Sequence, residues 1–239
     1  MTTACADFDH LLEGGLERGT MVELIGRRSS GRFSLALTAL AAATQAGEAA
    51  ALIDLGDALD PQAAAAAGVE LERLLWVRPR HIKEVLACAE VTLSSGIPLV
   101  VIDTGMPPVP GGRGNEASWL RLARAARSQR TALLISSPYR MSGTAARNVL
   151  EMGGSRAAWL GQGPSPRLLR GITTHLELVK SHKPRRQGET APLAWRLAED
   201  LMGDLPMPTR GALGRRDASS PNTTSDRSNV VRFRERAIA

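Results

Sequence analysis

The chain has 239 residues, of which 43% are hydrophobic and 3% aromatic, and its net charge is +6. Its two cysteines, Cys5 and Cys88, have no paired spacing and its four histidines no ligand spacing, which argues against a disulfide framework and against a metal site. No signal peptide and no apolar run of membrane-spanning length is visible, so a cytoplasmic protein without membrane contact is expected.

Short apolar strands alternate with longer alanine- or leucine-rich helices from Met21 to about Val179. This alternation predicts an α/β fold with a mostly parallel sheet flanked by helices. The predicted strands are Met21–Ile25, Ala50–Asp54, Leu75–Val77, Pro98–Asp103, Ala132–Ser136, Ala157–Leu160 and His175–Lys180. The predicted helices are Arg32–Ala46, Pro61–Ala66, Ile82–Ser94, Glu116–Gln129 and Thr144–Met152.

The composition divides the chain into a core, residues 1–204, and a basic tail, residues 205–239. The tail holds seven arginines against three acids, a net charge of +4, and it is rich in Ser, Thr, Asn and Pro. Such a segment cannot bury enough apolar surface to order itself, so a flexible interaction segment is predicted. Near its end, residues 229–234 form a short β-prone stretch.

The first predicted strand and helix enclose a glycine-containing loop, Gly26 to Ser34, with the sequence G-R-R-S-S-G-R-F-S. A strand–loop–helix order with two glycines at this spacing is typical of a phosphate-binding loop, because amides at the helix N-terminus point at the anion. The site predicted here is vestigial and comprises Gly26, Ser29, Ser30, Gly31, Arg32, Phe33, Ser34 and Asp103. The alternative is an ordinary glycine-containing turn.

Two substitutions remove the chemistry of an active loop. Arg32 stands where the phosphate-binding lysine is required, and Phe33 where a hydroxyl would bind Mg²⁺, with Ser34 one place late. A charge-assisted hydrogen bond contributes about 1.5–3 kcal/mol, whereas micromolar binding amounts to about 8 kcal/mol. Loss of both contacts therefore predicts nucleotide affinity in the millimolar range, no cofactor and no catalytic residue.

Two further acids end predicted strands. Asp103 ends Leu99-Val-Val-Ile-Asp, the place of an acid that holds Mg²⁺ beside a phosphate loop, although any buried strand can end in aspartate. Asp54 ends a second strand, and Gly56 lies where a polarising base is expected just beyond it. Glycine has no side chain to take a proton.

Four runs of the sequence resemble the ATPase core of bacterial RecA recombinases over roughly Phe8 to Lys183. They are Gly14–Gly26, Ile53–Pro61, Gly68–Leu75 and Val100–Thr104. The resemblance implies that five functional positions are altered. These are Arg32 for the phosphate lysine, Phe33 for the metal-binding hydroxyl, Gly56 for the catalytic glutamate, Ala63 for the adenine-stacking tyrosine and Pro138 for the γ-phosphate-sensing glutamine. Loss of ATP hydrolysis is therefore expected.

The same resemblance bears on assembly. The chain is expected to lack the N-terminal helix and strand with which a recombinase docks on its neighbour. The stretches that correspond to DNA-binding loops, at Met106–Gly114 and between Ala132–Ser136 and Ala157–Leu160, are short. Independent filament growth on DNA is not expected.

A RecA-like core with an inactive site and a basic tail resembles the ImuA family of SOS mutagenesis accessory proteins and, more distantly, the SulA cell-division inhibitors. The ImuA resemblance implies three partners: RecA, an ImuB-like polymerase adaptor and an error-prone replicative DNA polymerase, with weak or no direct DNA binding. The function predicted is to promote mutagenic damage tolerance and to restrain recombination. Two alternatives are a DNA-dependent ATPase with an atypical loop and a SulA-like division inhibitor.

The tail contains a candidate docking strand, because Ser228-Asn-Val-Val-Arg-Phe resembles the recombinase's own docking strand, Gly-Ser-Ile-Met-Arg-Leu. Such a strand binds by extending the edge of a partner's sheet. The predicted partner-binding residues are Val230, Val231, Arg232, Phe233 and Arg234. A chance match in an arginine-rich tail is the alternative.

A basic cluster, Lys180, Lys183, Arg185 and Arg186, follows the last predicted strand. The resemblance implies that Lys180 reaches a neighbour's nucleotide, and the cluster also suits DNA phosphates or a partner. A solvated run of charges is the simpler interpretation. The four tryptophans are predicted to lie in the core or at its edge.

Overall fold

The computed structural model describes residues 1–105, 115–161, 168–197 and 230–233. Its α-helices are α1 Ala6–Leu11, α2 Arg32–Gln45, α3 Pro61–Ala66, α4 Ile82–Ser94 and α5 Glu116–Gln129. Its strands are β1 Met21–Gly26, β2 Ala50–Asp54, β3 Leu74–Val77, β4 Leu99–Asp103, β5 Ala132–Ser137, β6 Asn148–Met152, β7 Arg156–Leu160, β8 Leu168–Lys180, β9 Thr190–Leu197 and β10 Val230–Phe233.

These strands form one mixed sheet in the order β10-β9-β8-β6-β1-β5-β4-β2-β3, with β7 paired to β8 beside this path. The strands from β6 to β3 in this order run parallel, whereas β8 is antiparallel to β6, β7 and β9. The predicted mostly parallel α/β fold is thus confirmed. Because β1 lies in the middle, the loop that follows it opens at the centre of the sheet's carboxyl edge.

Helices cover both faces of the parallel part of the sheet, and the central strands are therefore apolar at nearly every position. Every residue of β2 and β4 is buried. One core contains α2 and α1, with Phe8, Leu35 and Leu40 fully buried, and the other contains α4 and α5 around Trp119. The tight alanine-rich packing of α2 brings its N-terminus close to the ends of β1, β4 and β5.

The predicted helix Thr144–Met152 is wrong, because its second half forms strand β6 between β1 and β8. Val149 and Leu150 are fully buried there. A five-residue segment is too short for its hydrophobic period to separate a strand from a helix, and pairing with β1 decides for the strand. Helix α1 and strand β9 were not predicted, and the predicted strand His175–Lys180 is the second half of the longer β8.

The predicted boundary between core and tail, residues 204 and 205, lies outside the described residues, as does the predicted loop Met106–Gly114. Within the tail, β10 pairs in parallel with β9, with Val231 opposite Trp195. No helix among the described residues is long and apolar enough to cross a membrane.

Candidate functional site

The loop from Gly26 to Ser34 has the predicted strand–loop–helix setting, between the end of β1 and the start of α2. Gly31 is the N-cap of α2 with φ of 91°, and Ser29 also has positive φ, at 58°. A side chain at Gly26 would lie 2.6 Å from Ser30 Oγ. The backbone therefore has the compact, glycine-dependent course of a phosphate loop.

The guanidinium of Arg32 is hydrogen-bonded to groups outside this loop, at the ends of β4 and β5. Nη1 donates to Ser136 Oγ at 2.9 Å and to Asp103 Oδ1 at 3.4 Å, while Nη2 donates to the Gly105 carbonyl at 2.8 Å. The residue is 6% exposed. The side chain in the lysine's position thus turns inward and joins α2 to the ends of β4 and β5.

Burial dominates the electrostatics of this pair. Removal from water lowers the pKa of Arg32, and the neighbouring Asp103 carboxyl partly offsets that effect. Burial likewise raises the pKa of Asp103, against the opposing influence of Arg32 and of the hydrogen bond from Ser136. The charged form of each side chain is therefore stabilised by the other, because an unpaired buried charge is costly.

Both oxygens of the Asp103 carboxyl accept hydrogen bonds within the protein. Oδ1 accepts from Ser136 Oγ at 2.6 Å as well as from Arg32, and Oδ2 accepts from the Gly105 amide at 3.1 Å. With its oxygens engaged and Phe33 in the hydroxyl position, the donor set does not fit Mg²⁺, which prefers oxygen ligands in an octahedron. No group of acids, histidines and cysteines among the described residues suits a metal ion either.

Trp195 of β9 covers the other side of the loop. A Cβ built on Gly31 would lie 2.5 Å from the indole Cζ3 atom, so the ring rests directly on the glycine. Trp195 is 8% exposed. Phe33 is half-buried and packs against the core beneath α2. The indole therefore lies beside the N-terminus of α2.

Two buried polar atoms of the loop have no hydrogen-bond partner among the described residues, Ser30 Oγ and Arg32 Nε. Ser30 is 2% exposed. Buried groups of this kind are rare in folded proteins. The loop is therefore closed by packing and one ion pair, without complete hydrogen bonding.

The loop after β2 contacts the loop after β4 backbone to backbone. A Cβ at Gly56 would lie 2.8 Å from Gly105 Cα, and a Cβ at Gly105 would lie 2.7 Å from Gly56 Cα. Asp54 is used structurally, since its carboxylate accepts from the Ala58 and Leu59 amides at 3.1 and 3.0 Å. The position that resembles a catalytic glutamate thus has no space for a side chain.

The two remaining altered positions, Ala63 and Pro138, have side chains that can neither stack on adenine nor hydrogen-bond to a phosphate. Ala63 is exposed on α3, and Pro138 is half-buried after β5. The Met141 and Ser142 amides that follow Pro138 are held by the buried carboxylate of Glu23. The segment after Pro138 is thereby anchored to β1.

Three of the four basic cluster residues are engaged within the fold. Lys180 Nζ donates to the Thr144 and Ala146 carbonyls, and burial lowers its pKa. Lys183 pairs with Glu13 at 2.7 Å. Arg186 pairs with Glu189 and also donates to the His10 and Leu11 carbonyls at the end of α1.

Arg185 is exposed. Lys183 and Arg186 therefore hold the turn after β8 against the end of α1, and Lys180 holds the segment before β6. Its contact with DNA, a nucleotide or a partner remains a prediction.

The tryptophan prediction is confirmed for Trp119 and Trp195, which are buried, and for the half-buried Trp76. It is wrong for Trp159, whose residue is 54% exposed on the two-stranded β7–β8 hairpin. The docking segment Val230–Phe233 lies at the edge of the sheet, and Arg234 falls outside the described residues.

Sequence reasoning missed Ser136, Gly105 and Trp195. The parallel register pairs Asp103 with Ser136, so the position of Ser136 at the end of the neighbouring strand was the available signal. No sequence signal places Trp195 on Gly31, because 163 residues separate them and β9 itself was not predicted.

Comparison with known proteins agrees with this geometry. Residues 2–116 match the model of the RecA N-terminal domain. The chain also aligns with the crystal structure of the RadB recombinase at a TM-score of 0.60, covering 83% of this chain and 96% of that one at 20% identity. The chain has a RecA-like fold.

Curated relatives are RecA proteins. That of Clostridium acetobutylicum is 41% identical over 112 residues, covering 46% of this chain and 32% of the relative. That of Clavibacter michiganensis is 45% identical over 98 residues, covering 41% and 27%. The chain spans about a third of the length of the curated relatives it matches. The likeness is thus concentrated in the half that carries the phosphate loop.

Proposed function

We propose that this chain is a non-catalytic RecA-like accessory protein of the SOS response that acts by binding other proteins. The observation that carries the proposal is the buried guanidinium of Arg32, which occupies the phosphate lysine's position in the sequence but is bonded to Asp103, Ser136 and the Gly105 carbonyl. In this proposal the Arg32 side chain itself, and not a bound nucleotide and metal, connects α2 to the ends of β4 and β5.

The free-energy balance favours a site without nucleotide. Mg²⁺–ATP would have to displace Arg32 from Asp103, and breaking a buried pair costs about 3–5 kcal/mol. Micromolar affinity corresponds to about 8 kcal/mol in total. The difference of about 3–5 kcal/mol corresponds to a Kd between about 0.2 and 6 mM, before the displacement of Trp195 from Gly31 is counted.

The proposed partners are RecA and the translesion machinery, an ImuB-like adaptor with an error-prone replicative polymerase. In this role the chain promotes mutagenic damage tolerance and restrains RecA recombination. Two observations support RecA as a partner: the sequence likeness to RecA over residues 2–116 and the docking-like segment near the end of the tail. That segment is extended from Val230 to Phe233, the conformation required for pairing with a sheet edge.

Nucleotide binding and turnover test the first half of the proposal. Purified protein is titrated with a fluorescent ATP analogue and Mg²⁺, and phosphate release is followed with and without single-stranded DNA. We expect no saturable binding below millimolar concentrations and no turnover. Micromolar binding or DNA-stimulated turnover overturns the proposal in favour of an ATPase with an atypical loop.

Capture of purified RecA tests the second half. We expect the full chain to retain RecA, and the variant V231D/F233D to lose it, because charges on alternate residues oppose pairing in a sheet. The matched control T223D/S225D adds the same charge at the same spacing in the tail and is expected to retain RecA. Equal retention by both variants excludes the tail strand as the docking segment.

A further inference from the structure

Strand β7 and the first half of β8 form an arm of the sheet beside the phosphate loop. The arm consists of β7 and residues 168–173 of β8, of which residues 171–173 also pair with β9, and β7 is its outer strand, off the path of the main sheet. Trp159 is 54% exposed and Leu168 40% exposed on this arm. Exposed large apolar side chains in one contiguous element commonly mark a contact with another molecule.

The apolar residues occupy both faces of the arm. Trp159 is paired with Leu169, and Leu160 with Leu168, in the antiparallel register. Directly paired residues share a face, and successive residues alternate between faces. The arm therefore presents a tryptophan with one leucine on one face and two leucines on the other.

One hydrogen bond joins the arm to the tip of the phosphate loop. Ser155 Oγ, at the base of β7, donates to the Ser29 carbonyl at 2.6 Å. Arg28 and Arg156 adjoin these two residues in the sequence, and both are exposed. The loop tip and the arm thus form a continuous surface.

This surface is basic because two acid-free segments meet there. No aspartate or glutamate occurs in residues 24–47 or in residues 152–176. Among the described residues of these segments, the exposed arginines are Arg27, Arg28, Arg156 and Arg170, whereas Arg32 is buried at the start of α2. Glu151, at the foot of the arm, is the adjacent exposed acid in the sequence.

We infer that the arm surface, comprising Arg27, Arg28, Arg156, Trp159, Leu168 and Arg170, binds a protein segment that carries both acidic and aromatic or aliphatic side chains. Charge complementarity selects the acids, and the desolvated tryptophan supplies the anchor, a residue type enriched at binding hot spots. The leucines on both faces favour a protein segment over nucleic acid, because aliphatic side chains offer no stacking surface to bases. The inference rests on the proposed function only in treating the chain as a protein-binding module.

The test uses labelled polymers as probes, with fluorescence anisotropy as the readout. The probes are a random copolymer of glutamate and tyrosine, polyglutamate and a single-stranded dT oligonucleotide. We expect the full chain to bind the copolymer more tightly than polyglutamate, with affinity that falls as salt rises. W159A is expected to weaken binding by about tenfold or more, whereas W159F keeps the aromatic anchor and most of the affinity.

Charge reversals locate the surface. R156E/R170E and R27E/R28E are each expected to lower copolymer affinity by about tenfold, because both pairs supply positive charge to the arm surface. R124E/R127E makes the same change in net charge on exposed residues of α5 and is expected to have little effect. All substituted residues are exposed, and circular dichroism verifies that each variant is folded.

Several outcomes overturn the inference. They are absence of copolymer binding, an equal loss in R124E/R127E, or tighter oligonucleotide binding that W159A abolishes. RecA capture is measured in parallel with the same variants. Failed copolymer binding with intact RecA capture refutes the arm surface alone, whereas loss of RecA capture by the full chain refutes the proposed function.

Discussion

Arg32 and Asp103, 71 positions apart in the chain, meet as a buried ion pair whose nitrogen and oxygen lie 3.4 Å apart. Their side chains are 7% and 3% exposed. Ser136 bonds both partners, so the three residues connect the start of α2 with the ends of β4 and β5. The cross-link thus begins at the first residue of α2, directly after the loop's Gly31.

The first prediction concerns the stability of this cross-link. R32A leaves the Asp103 carboxyl buried without its cation, so we expect the free energy of unfolding to fall by about 3–5 kcal/mol. Urea denaturation measures this change. R28A, an exposed arginine of the same loop, is the matched control and is expected to stay within about 0.5 kcal/mol of the wild type. A loss below about 1 kcal/mol in R32A means that the pair is not a structural cross-link.

The second prediction is a pH dependence with a defined sign. Burial raises the pKa of Asp103 in the folded state, so folding is disfavoured once the unfolded carboxyl ionises, above about pH 3.9. The contribution of Asp103 to stability is therefore full at low pH and is lost as the pH rises through its folded pKa. R32A removes the opposing cation and is expected to lose more stability over this range.

The reference for this measurement is D103N, in which that carboxyl does not titrate. Salt bridges lower the pKa values of Glu13, Asp57 and Glu189, so these carboxylates stabilise the fold as the pH rises. They are present in every variant, and their effect therefore cancels in the comparison with D103N. The stability of the wild type relative to D103N is thus expected to decline with increasing pH. A difference that stays constant with pH contradicts the assigned role of Asp103.

The third prediction is that the missing catalytic side chain cannot simply be restored at Gly56. G56E is expected to destabilise the fold by about 1–3 kcal/mol, because even its Cβ lies 2.8 Å from Gly105 Cα, and to give no ATP turnover. Thermal unfolding and phosphate release measure these effects. The control G154E adds the same side chain where a Cβ meets no atom within 4 Å. Equal stability of the two variants excludes the close approach as the cause.

Much of the fold follows from the sequence, because buried parallel strands are apolar runs and the helices between them are long and alanine-rich. Helices α3, α4 and α5 have the predicted bounds. The errors have physical causes. Strand β6 is too short to show a decisive hydrophobic period, and β9 carries Pro192 and has mixed polarity along its length.

The site was predictable only in part. The sequence predicts its local features: the position of the loop, the substitutions at Arg32 and Phe33, and the acid at Asp103. The direction in which Arg32 points is decided by Ser136 and Gly105, which belong to other elements. The exposure of Trp159 likewise depends on β7 lying outside the main sheet, a matter of topology.

The fourth prediction separates backbone strain from the packing of Trp195. Gly31 and Gly47 have similar positive φ angles, 91° and 82°, but only Gly31 is covered by the indole ring. G47A therefore measures the strain alone, and G31A is expected to lose about 1 kcal/mol more stability. The double variant G31A/W195L tests the cause, because removing the ring should reduce the cost of the added methyl group. Additive losses in this cycle contradict direct packing.

The fifth prediction concerns Glu23, which is fully buried in β1 and organises the segment after β5. Its carboxylate accepts from the Met141 and Ser142 amides at 2.6 and 3.2 Å and from the hydroxyls of Ser137 and Ser142. E23Q keeps the shape of the side chain but replaces one carboxylate oxygen, an acceptor, with an NH₂ group, a donor. Backbone amide N–H groups can only donate, so they lose an acceptor. We expect a loss of about 1–3 kcal/mol and faster hydrogen exchange at Met141 and Ser142.

The control for this prediction is E17Q, because Glu17 forms an exposed pair with Arg147 and such pairs contribute little. Global stability and local exchange distinguish two causes. If Glu23 anchors the segment after Pro138, E23Q accelerates exchange at Met141 and Ser142 more than at residues of α4. Uniform acceleration across the chain instead means that the carboxylate supports β1 as a whole, and the anchoring role is then wrong.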